Sequence, residues 1–337
     1  MKFAGAHIVS IEQFQREDIL QVFAVADRME PYAQRQKLTK VLDGAILGSM
    51  FFEPSTRTRV SFGCAFNLLG GEVRETTGFE HTAIAKGESL YDTARVISGY
   101  SDAIVMRHPQ EGSVAEFAAA SRVPVINGGD GANEHPSQAL LDLYTIQKEL
   151  KATGRNLDGL RIALIGDLRH GRTVHSLCKL LGLFHKISLV LISPKELQMP
   201  GDIVERLRGA GHSVVESDRM EQSIANVDIA YSTRIQEERF SSREDASIYR
   251  GQYRLNQALY TRFCEPNTVI MHPLPRDSRQ EANELDNDLN ENPNLAIFRQ
   301  TDNGVLVRMA LFALIFDVVE LVDKYATEVH WHIRRSN

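Results

Sequence analysis

Short apolar runs bounded by turn residues recur along the chain, and between many of them apolar positions return at helical spacing. Over residues 44–71 the order is strand, turn, helix. Residues 46–52 are mostly apolar, Pro54 breaks the run, and Val60, Gly63, Cys64, Asn67 and Leu68 follow on one helical period. A second run, 103–106, ends at Arg107-His108-Pro109. A third, 123–126, leads into the turn-rich 127–133 and a helix predicted over about 136–150. Polar residues 151–158 separate this half from a second series of strands, predicted over 162–165, 187–192, 214–215, 229–232 and 269–271. Strands alternating with helices predict doubly wound α/β units with parallel sheets. Residues 277–294, acidic and Asn-rich, read as a mobile surface loop. Residues 309–322 read as a buried C-terminal helix packing back on the first half. Interrupted by Asp317 and Glu320, that stretch is too short for a bilayer, which takes about 20 residues.

At 337 residues the chain predicts two domains. These are 1–152, completed by a C-terminal helix over 305–337, and 153–304. Hydrophobic residues at 43% and charged residues at 24% fit a globular protein rather than a disordered one. A formal net charge of -6 argues against nucleic-acid or anionic-membrane binding, which needs a surplus of Lys and Arg, so any cationic site must be local. The three cysteines, Cys64, Cys178 and Cys264, lie far apart without zinc-site spacing, which fits a reducing compartment such as the cytoplasm. The first residues lack the pattern of an export signal.

The strongest local chemistry is the run Phe51-Phe52-Glu53-Pro54-Ser55-Thr56-Arg57-Thr58-Arg59. Hydroxyls and a guanidinium at a strand-to-helix turn can surround an oxyanion whose remaining oxygens face free helix N–H groups. Arg57 and Arg59, two apart, do not share a helix face, so one of them is expected to be structural. An N-cap with a solvated basic turn is the plain alternative.

This run resembles the phosphate-binding signature of the aspartate and ornithine carbamoyltransferases. Lys86-Gly87-Glu88, Arg107-His108-Pro109, His135-Pro136-Ser137-Gln138, Arg234-Ile235-Gln236 and His272-Pro273-Leu274-Pro275-Arg276 match the family in order along most of the chain. The resemblance implies a carbamoyl-phosphate domain followed by an amino-acid domain, with the active site in the cleft between them and shared across subunits of a homotrimer. It implies that Ser55, Thr56, Arg57 and Thr58 hold the phosphate group. Arg107 would reach both phosphate and carbonyl oxygen, and Gln138 would orient the carbamoyl amide. His135, with Thr58 and Arg107, would donate to the carbonyl oxygen, which needs a ring nitrogen bearing hydrogen. Without the resemblance, His135 reads equally as a helix-start histidine bonding a backbone carbonyl. Lys86 resembles the lysine that the family inserts from a neighbouring subunit, touching both substrates; by itself it is an exposed lysine on a turn. Thr82, preceded by His81, stands where the family usually has a phosphate-contacting serine.

For the second substrate, Arg172 would hold the α-carboxylate of aspartate, and Arg234 with Gln236 the side-chain carboxylate. Surface salt bridges are the alternative for both arginines. Backbone carbonyls at Pro273 and Leu274 would face the attacking amine and the carbamoyl amide. Pro273 favours the aspartate branch, because ornithine-specific members typically place a cysteine after the histidine. The turn around Gly166 and Gly171 also invites a dinucleotide reading, but it lacks the G-x-G-x-x-G pattern and carries Asp167.

The implied reaction is direct transfer of the carbamoyl group of carbamoyl phosphate to L-aspartate, an early step of de novo pyrimidine synthesis. It proceeds without covalent intermediate, metal or cofactor. The alternatives are another amine, ornithine above all, or a catalytically silent assembly subunit. The run Arg107-His108-Pro109-Gln110-Glu111-Gly112-Ser113 resembles the segment by which some aspartate-specific members contact a separate zinc-containing regulatory chain. A polar loop fixed by Pro109 alone is the other reading of that run.

Overall fold

The structure, a computed structural model, describes residues 1–78, 87–240, 246–279 and 281–331. The chain divides into two compact units, residues 1–137 with 304–337 and residues 138–303.

The first unit runs α1 (Arg16–Ala33), β1 (Lys37–Thr39), β2 (Ile46–Phe51), α2 (Thr56–Leu68), β3 (Glu72–Thr77), α3 (Leu90–Ile97), β4 (Ala103–His108), α4 (Ser113–Ala120) and β5 (Val125–Asp130). Strands β2 to β5 form a parallel sheet in the order β3-β2-β4-β5. Side chains alternate between the faces of a strand. Met50, Phe52, Ile104, Met106 and Val125 therefore gather with Ala94 of α3 and Val114 and Phe117 of α4 in one core cluster. On α2, Phe62 and Phe66 meet Phe312 edge-on at 6.0 and 4.9 Å. Arg308 covers Phe62 at 4.7 Å and donates to Ser61 Oγ at 2.9 Å.

Phe312 and Arg308 lie on the C-terminal helix, Ile297–Ile315, whose residues from Gly304 onward belong to the first unit. The expected packing of this helix on the first half is therefore present, with different bounds. The helix ends where Asp317 turns left-handed (φ 55°), and Val318 N–H reaches back to Ala313 O at 2.9 Å, a Schellman stop. The segment expected as helix over 305–337 continues instead as a 3-10 turn, Val319–Leu321, and β11 (Ala326–Glu328), antiparallel to β1. Tyr32 Oη donates to Asp323 at 2.7 Å and Arg28 pairs with Glu320 at 2.7 Å, tying this tail to α1.

The second unit carries α5 (Pro136–Ala152), whose first two residues belong to the first unit. It continues with β6 (Arg161–Ile165), α6 (Arg172–Leu181), β7 (Ser188–Ile192), α7 (Gly201–Gly209), β8 (Ser213–Ser217), α8 (Met220–Ser223), β9 (Ile229–Ser232) and β10 (Val269–Met271). Its sheet is parallel throughout, in the order β10-β9-β6-β7-β8. The division at Ser137–Gln138 places most of α5 with the second unit, whereas the sequence pattern assigned 1–152 to the first. On α5, Asp142 accepts from Tyr231 Oη at 2.7 Å and Gln300 Nε2 at 2.6 Å, and Thr145 Oγ1 accepts from Asn303 Nδ2 at 3.0 Å.

Residues 277–294 are not a loose loop among the described residues. Leu285 and Leu289 are fully buried in the same cluster as Ile165, Ala230 and Ile270, and Leu255 N–H donates to Glu284 O at 2.9 Å. Composition alone hid these two leucines among acids and amides. Several elements leave no pattern that the sequence reading picks out, among them α1, α3, α4 and β3, whose Glu72-Val73-Arg74-Glu75 is charged because it is a sheet edge.

Candidate active site

In an open parallel sheet, ligands bind beyond the carboxyl ends of the strands where the strand order reverses. In the first unit that reversal falls between β2 and β4. Strand β2 runs out into Glu53-Pro54-Ser55 and α2, and β4 ends at Arg107-His108. In the second unit it falls between β6 and β9. There β6 leads to Gly166 and Arg172, β9 to Arg234 and Gln236, and the neighbouring β10 to His272-Pro273-Leu274. Both reversals carry residues singled out from sequence.

At the first reversal Ser55 occupies the N-cap of α2 but its hydroxyl makes no capping bond. The first-turn N–H groups of an α-helix have no intrahelical acceptor, so this turn suits an anion. Thr58 is buried while Thr56 and Arg57 are exposed. Arg59 is held through Nη1 by Glu75 at 2.6 Å. Arg107, buried, donates from Nη1 to Gly128 O at 3.1 Å and pairs through Nη2 with Glu53 at 2.8 Å. Phe52 N–H bonds Arg107 O at 2.9 Å, so the guanidinium is fixed beside the 53–58 turn.

His135 precedes α5 with Pro136 at the first helical position, where the missing N–H costs nothing. The loop behind it is locked by Asp130. Its carboxylate accepts from Glu134 N–H at 3.1 Å, Asn133 Nδ2 at 3.0 Å, Asn127 Nδ2 at 3.0 Å and Gly112 N–H at 3.0 Å. Glu134 in turn accepts from Ile11 N–H at 2.7 Å. At Gly131 (φ 53°) a Cβ would lie 2.8 Å from Pro109 O. His135 is buried on this rigid loop. Burial lowers the pKa of the nearby His108, whose Nδ1 accepts from Gln110 N–H at 3.1 Å. His81, Thr82 and Lys86 lie outside the described residues.

At the second reversal the organising group is Asp167, fully buried, which sequence reading noted only as an obstacle to a dinucleotide. Its carboxylate accepts from His170 N–H at 3.0 Å and from Gln236 N–H at 3.1 Å, so it ties the turn before Arg172 to the segment of Arg234 and Gln236. A buried carboxylate there repels a pyrophosphate, which disfavours the dinucleotide reading. Glu237, one residue on, is engaged by Arg250 at 2.7 Å and Arg279 at 2.8 Å, and Arg279 also pairs with Asp277 at 2.5 Å. The Arg250 hydrogen bond first, then Arg279, holds the Glu237 carboxyl below the usual range; Arg279 does the same for Asp277.

The Pro273-Leu274 turn is shaped by His272. Its Nδ1 accepts from Leu274 N–H at 2.8 Å, so the ring proton sits on Nε2, facing Glu284 at 2.7 Å. Leu274 adopts a left-handed φ of 57°, a conformation that costs a non-glycine residue about 1–3 kcal/mol and persists where its surroundings enforce it. Gln138 donates from Nε2 to Asp142 at 2.9 Å. Asp142 and Glu284 carry no mark in the sequence, and Glu53 and Asp167 stand in motifs that do not reveal their partners.

Two α/β units, each with arginines at the reversal of its parallel sheet, have the build of an enzyme that acts on anionic substrates. Comparison with known proteins agrees. Residues 6–148 match the family model "Aspartate/ornithine carbamoyltransferase, carbamoyl-P binding domain", and residues 158–315 match "Aspartate/ornithine carbamoyltransferase, Asp/Orn binding domain". The chain belongs to the aspartate/ornithine carbamoyltransferase family. It is 76% identical over 336 residues, 100% of both chains, to the aspartate carbamoyltransferase catalytic subunit of Saccharophagus degradans. Among solved structures it resembles the catalytic subunit of M. jannaschii aspartate transcarbamoylase, with a TM-score of 0.83, 42% identity, and coverage of 94% of this chain and 99% of that one. It also resembles the Trypanosoma cruzi aspartate transcarbamoylase in complex with carbamoyl phosphate and aspartate, with a TM-score of 0.84, 37% identity and coverage of 93% and 97%.

Proposed function

We propose that this chain transfers the carbamoyl group of carbamoyl phosphate to the amino group of L-aspartate, giving N-carbamoyl-L-aspartate and phosphate. The observation that carries this reading is full-length 76% identity to an aspartate-specific relative. The second unit supplies matching chemistry, because Arg172 and Arg234 suit a dianion and Arg234 would repel the side-chain ammonium of ornithine.

The amine nitrogen attacks the carbonyl carbon, a tetrahedral oxyanion forms, the C–O bond to phosphate breaks, and an amine proton ends on the departing phosphate. Ser55, Thr56, Arg57 and Thr58, with the N–H groups opening α2, hold the phosphate. Arg107, Thr58 and His135 donate to the oxyanion, and Gln138 orients the carbamoyl amide. Arg172, Arg234 and Gln236 hold the aspartate carboxylates through charge-assisted bonds of about 1.5–3 kcal/mol each. The carbonyls of Pro273 and Leu274 accept from the amine and the amide. Rate comes from orientation and preorganised charge rather than from a covalent intermediate. Thr82 contributes its hydroxyl to the phosphate in place of the usual serine, and Lys86 enters the site of a neighbouring copy in a homotrimer. The enzyme works in the cytoplasm. Among the described residues no helix is long and apolar enough to cross a membrane.

The exposed turn Pro109-Gln110-Glu111-Gly112 is offered to a separate regulatory chain. Gly112 N–H is anchored on Asp130 at 3.0 Å and Ser113 Oγ donates to Gln110 O at 2.6 Å, which keeps the turn in one shape.

The test is phosphate release by purified chain given carbamoyl phosphate with aspartate or with ornithine. Turnover with aspartate alone is expected. Preference for ornithine, or no turnover with either, would overturn the reading.

A further inference from the structure

Asp142 is fully buried on α5, and side-chain donors converge on it: Tyr231 Oη on Oδ2 at 2.7 Å, and Gln138 Nε2 at 2.9 Å and Gln300 Nε2 at 2.6 Å on Oδ1. An ionised carboxylate accepts and cannot donate. Both amides must therefore turn their nitrogens inward and their oxygens away. The oxygen of Gln300 accepts from the N–H of His272 at 3.1 Å, directly before Pro273.

We infer that Asp142 is a positioning residue: by engaging the Gln138 nitrogen, it makes the Gln138 oxygen the atom presented to the NH2 group of carbamoyl phosphate, and through Gln300 it sets the backbone of the His272-Pro273-Leu274 turn. The inference rests on the proposed role of Gln138. An acceptor at that point distinguishes an NH2 group from a methyl group; a flipped amide, offering NH2 to NH2, does not. Replacing Asp142 by Asn breaks the pattern. If the Asn oxygen keeps the Tyr231 hydroxyl, its nitrogen faces two further NH2 groups, and both glutamines must turn over.

The readout is the ratio of affinities for carbamoyl phosphate and acetyl phosphate, which carries methyl in place of NH2, measured by calorimetric titration beside the thermal midpoint of each variant. Wild type should prefer carbamoyl phosphate. Gln138→Ala and Asp142→Asn should each reduce that preference by about five-fold or more, the worth of one neutral hydrogen bond. A general loss of structure would weaken both ligands alike and leave the ratio in place. Gln138→Glu combined with Asp142→Asn reverses the polarity of the pair, because the Asn nitrogen then donates to one oxygen of the introduced carboxylate and the other oxygen faces the ligand. This double variant should recover the part of the preference that Gln138 supplies, Gln300 still facing the Asn nitrogen, and it also serves if Asp142→Asn alone does not fold. An unchanged ratio in Gln138→Ala removes the role of Gln138 and the inference with it. A ratio lost in Gln138→Ala but kept in Asp142→Asn, or a folded double variant without preference, overturns the inference alone.

Discussion

Gly166→Ala should disable aspartate handling while sparing the phosphate site. Gly166 has a φ of 115°, where a residue with a Cβ is strained by about 1–3 kcal/mol. The added Cβ would also stand 2.3 Å from Thr233 O and 2.9 Å from Thr233 Oγ1. The first of these is backbone and cannot rotate away, and Thr233 N–H is itself bonded to Ile165 O at 2.8 Å. Relief requires the 166–171 turn and the 233–236 segment to part by about 0.7 Å to regain the 3.0 Å that real contacts respect. Asp167 bridges these same segments through Gln236 N–H, so the movement separates Arg172 from Arg234 and Gln236. Misplacement of about 1 Å in a substrate-positioning group can cost about 10²-fold. The expected result is a drop of about 10²-fold in kcat/KM for aspartate, with a lowered thermal midpoint. Affinity for inorganic phosphate, whose proposed site lies on residues of the other unit, should stay within about two-fold. Phosphate release over a range of aspartate concentrations and calorimetric titration with phosphate supply the two numbers. A folded variant with normal kcat/KM for aspartate would refute the reasoning, and equal loss at both sites would show that the glycine serves stability alone.

Arg57→Ala should abolish phosphate release with circular dichroism unchanged, whereas Arg59→Ala, which removes only the exposed pair with Glu75, should keep most activity; the reverse order of effects would overturn the assignment. Mixing the inactive Arg57→Ala and Lys86→Ala chains should restore some turnover if sites are shared between copies, and no recovery after subunit exchange seen by mass spectrometry would count against sharing. Because the Glu237 and Asp277 carboxyls are held below their usual range, the stability they contribute is present above about pH 4.3 and is lost as the pH falls through their lowered values. Thermal midpoints of wild type and Glu237→Gln should therefore differ at pH 6 and converge toward pH 3. Curves that run parallel would dismiss the carboxylate as the source. Burial pushes the Cys178 and Cys264 thiols up to about 12, so iodoacetamide at pH 8 should label Cys64 well before either of them in the native protein, as peptide mapping would read.

Sequence alone determined the elements whose cause is local. The strands at 103–106, 162–165, 229–232 and 269–271 are apolar because they lie in parallel sheets, so their runs and the turns that end them could be read directly. The motif residues sit where those strands end; the chemistry of the turn itself marked Ser55 to Thr58, whereas Arg107, Arg172, Arg234 and Pro273-Leu274 stood out only through the family resemblance. Helical spacing also showed that Arg57 and Arg59 do not share a face, and the ion pair with Glu75 is what only the structure adds for Arg59.

Tertiary structure decided whatever depends on partners distant in sequence. Nothing near Asp142 announces that Tyr231 and Gln300 converge on it, nor does anything near Asp167 reveal that Gln236 is its partner. Such acids become legible only once parallel strands have brought separate loops to the same edge. The same holds for the two leucines of residues 277–294, which their polar neighbours concealed. The physical reason is common to all of them: the free energy of burying a charge or a leucine is set by what surrounds it in space, and a linear pattern records only what surrounds it along the chain.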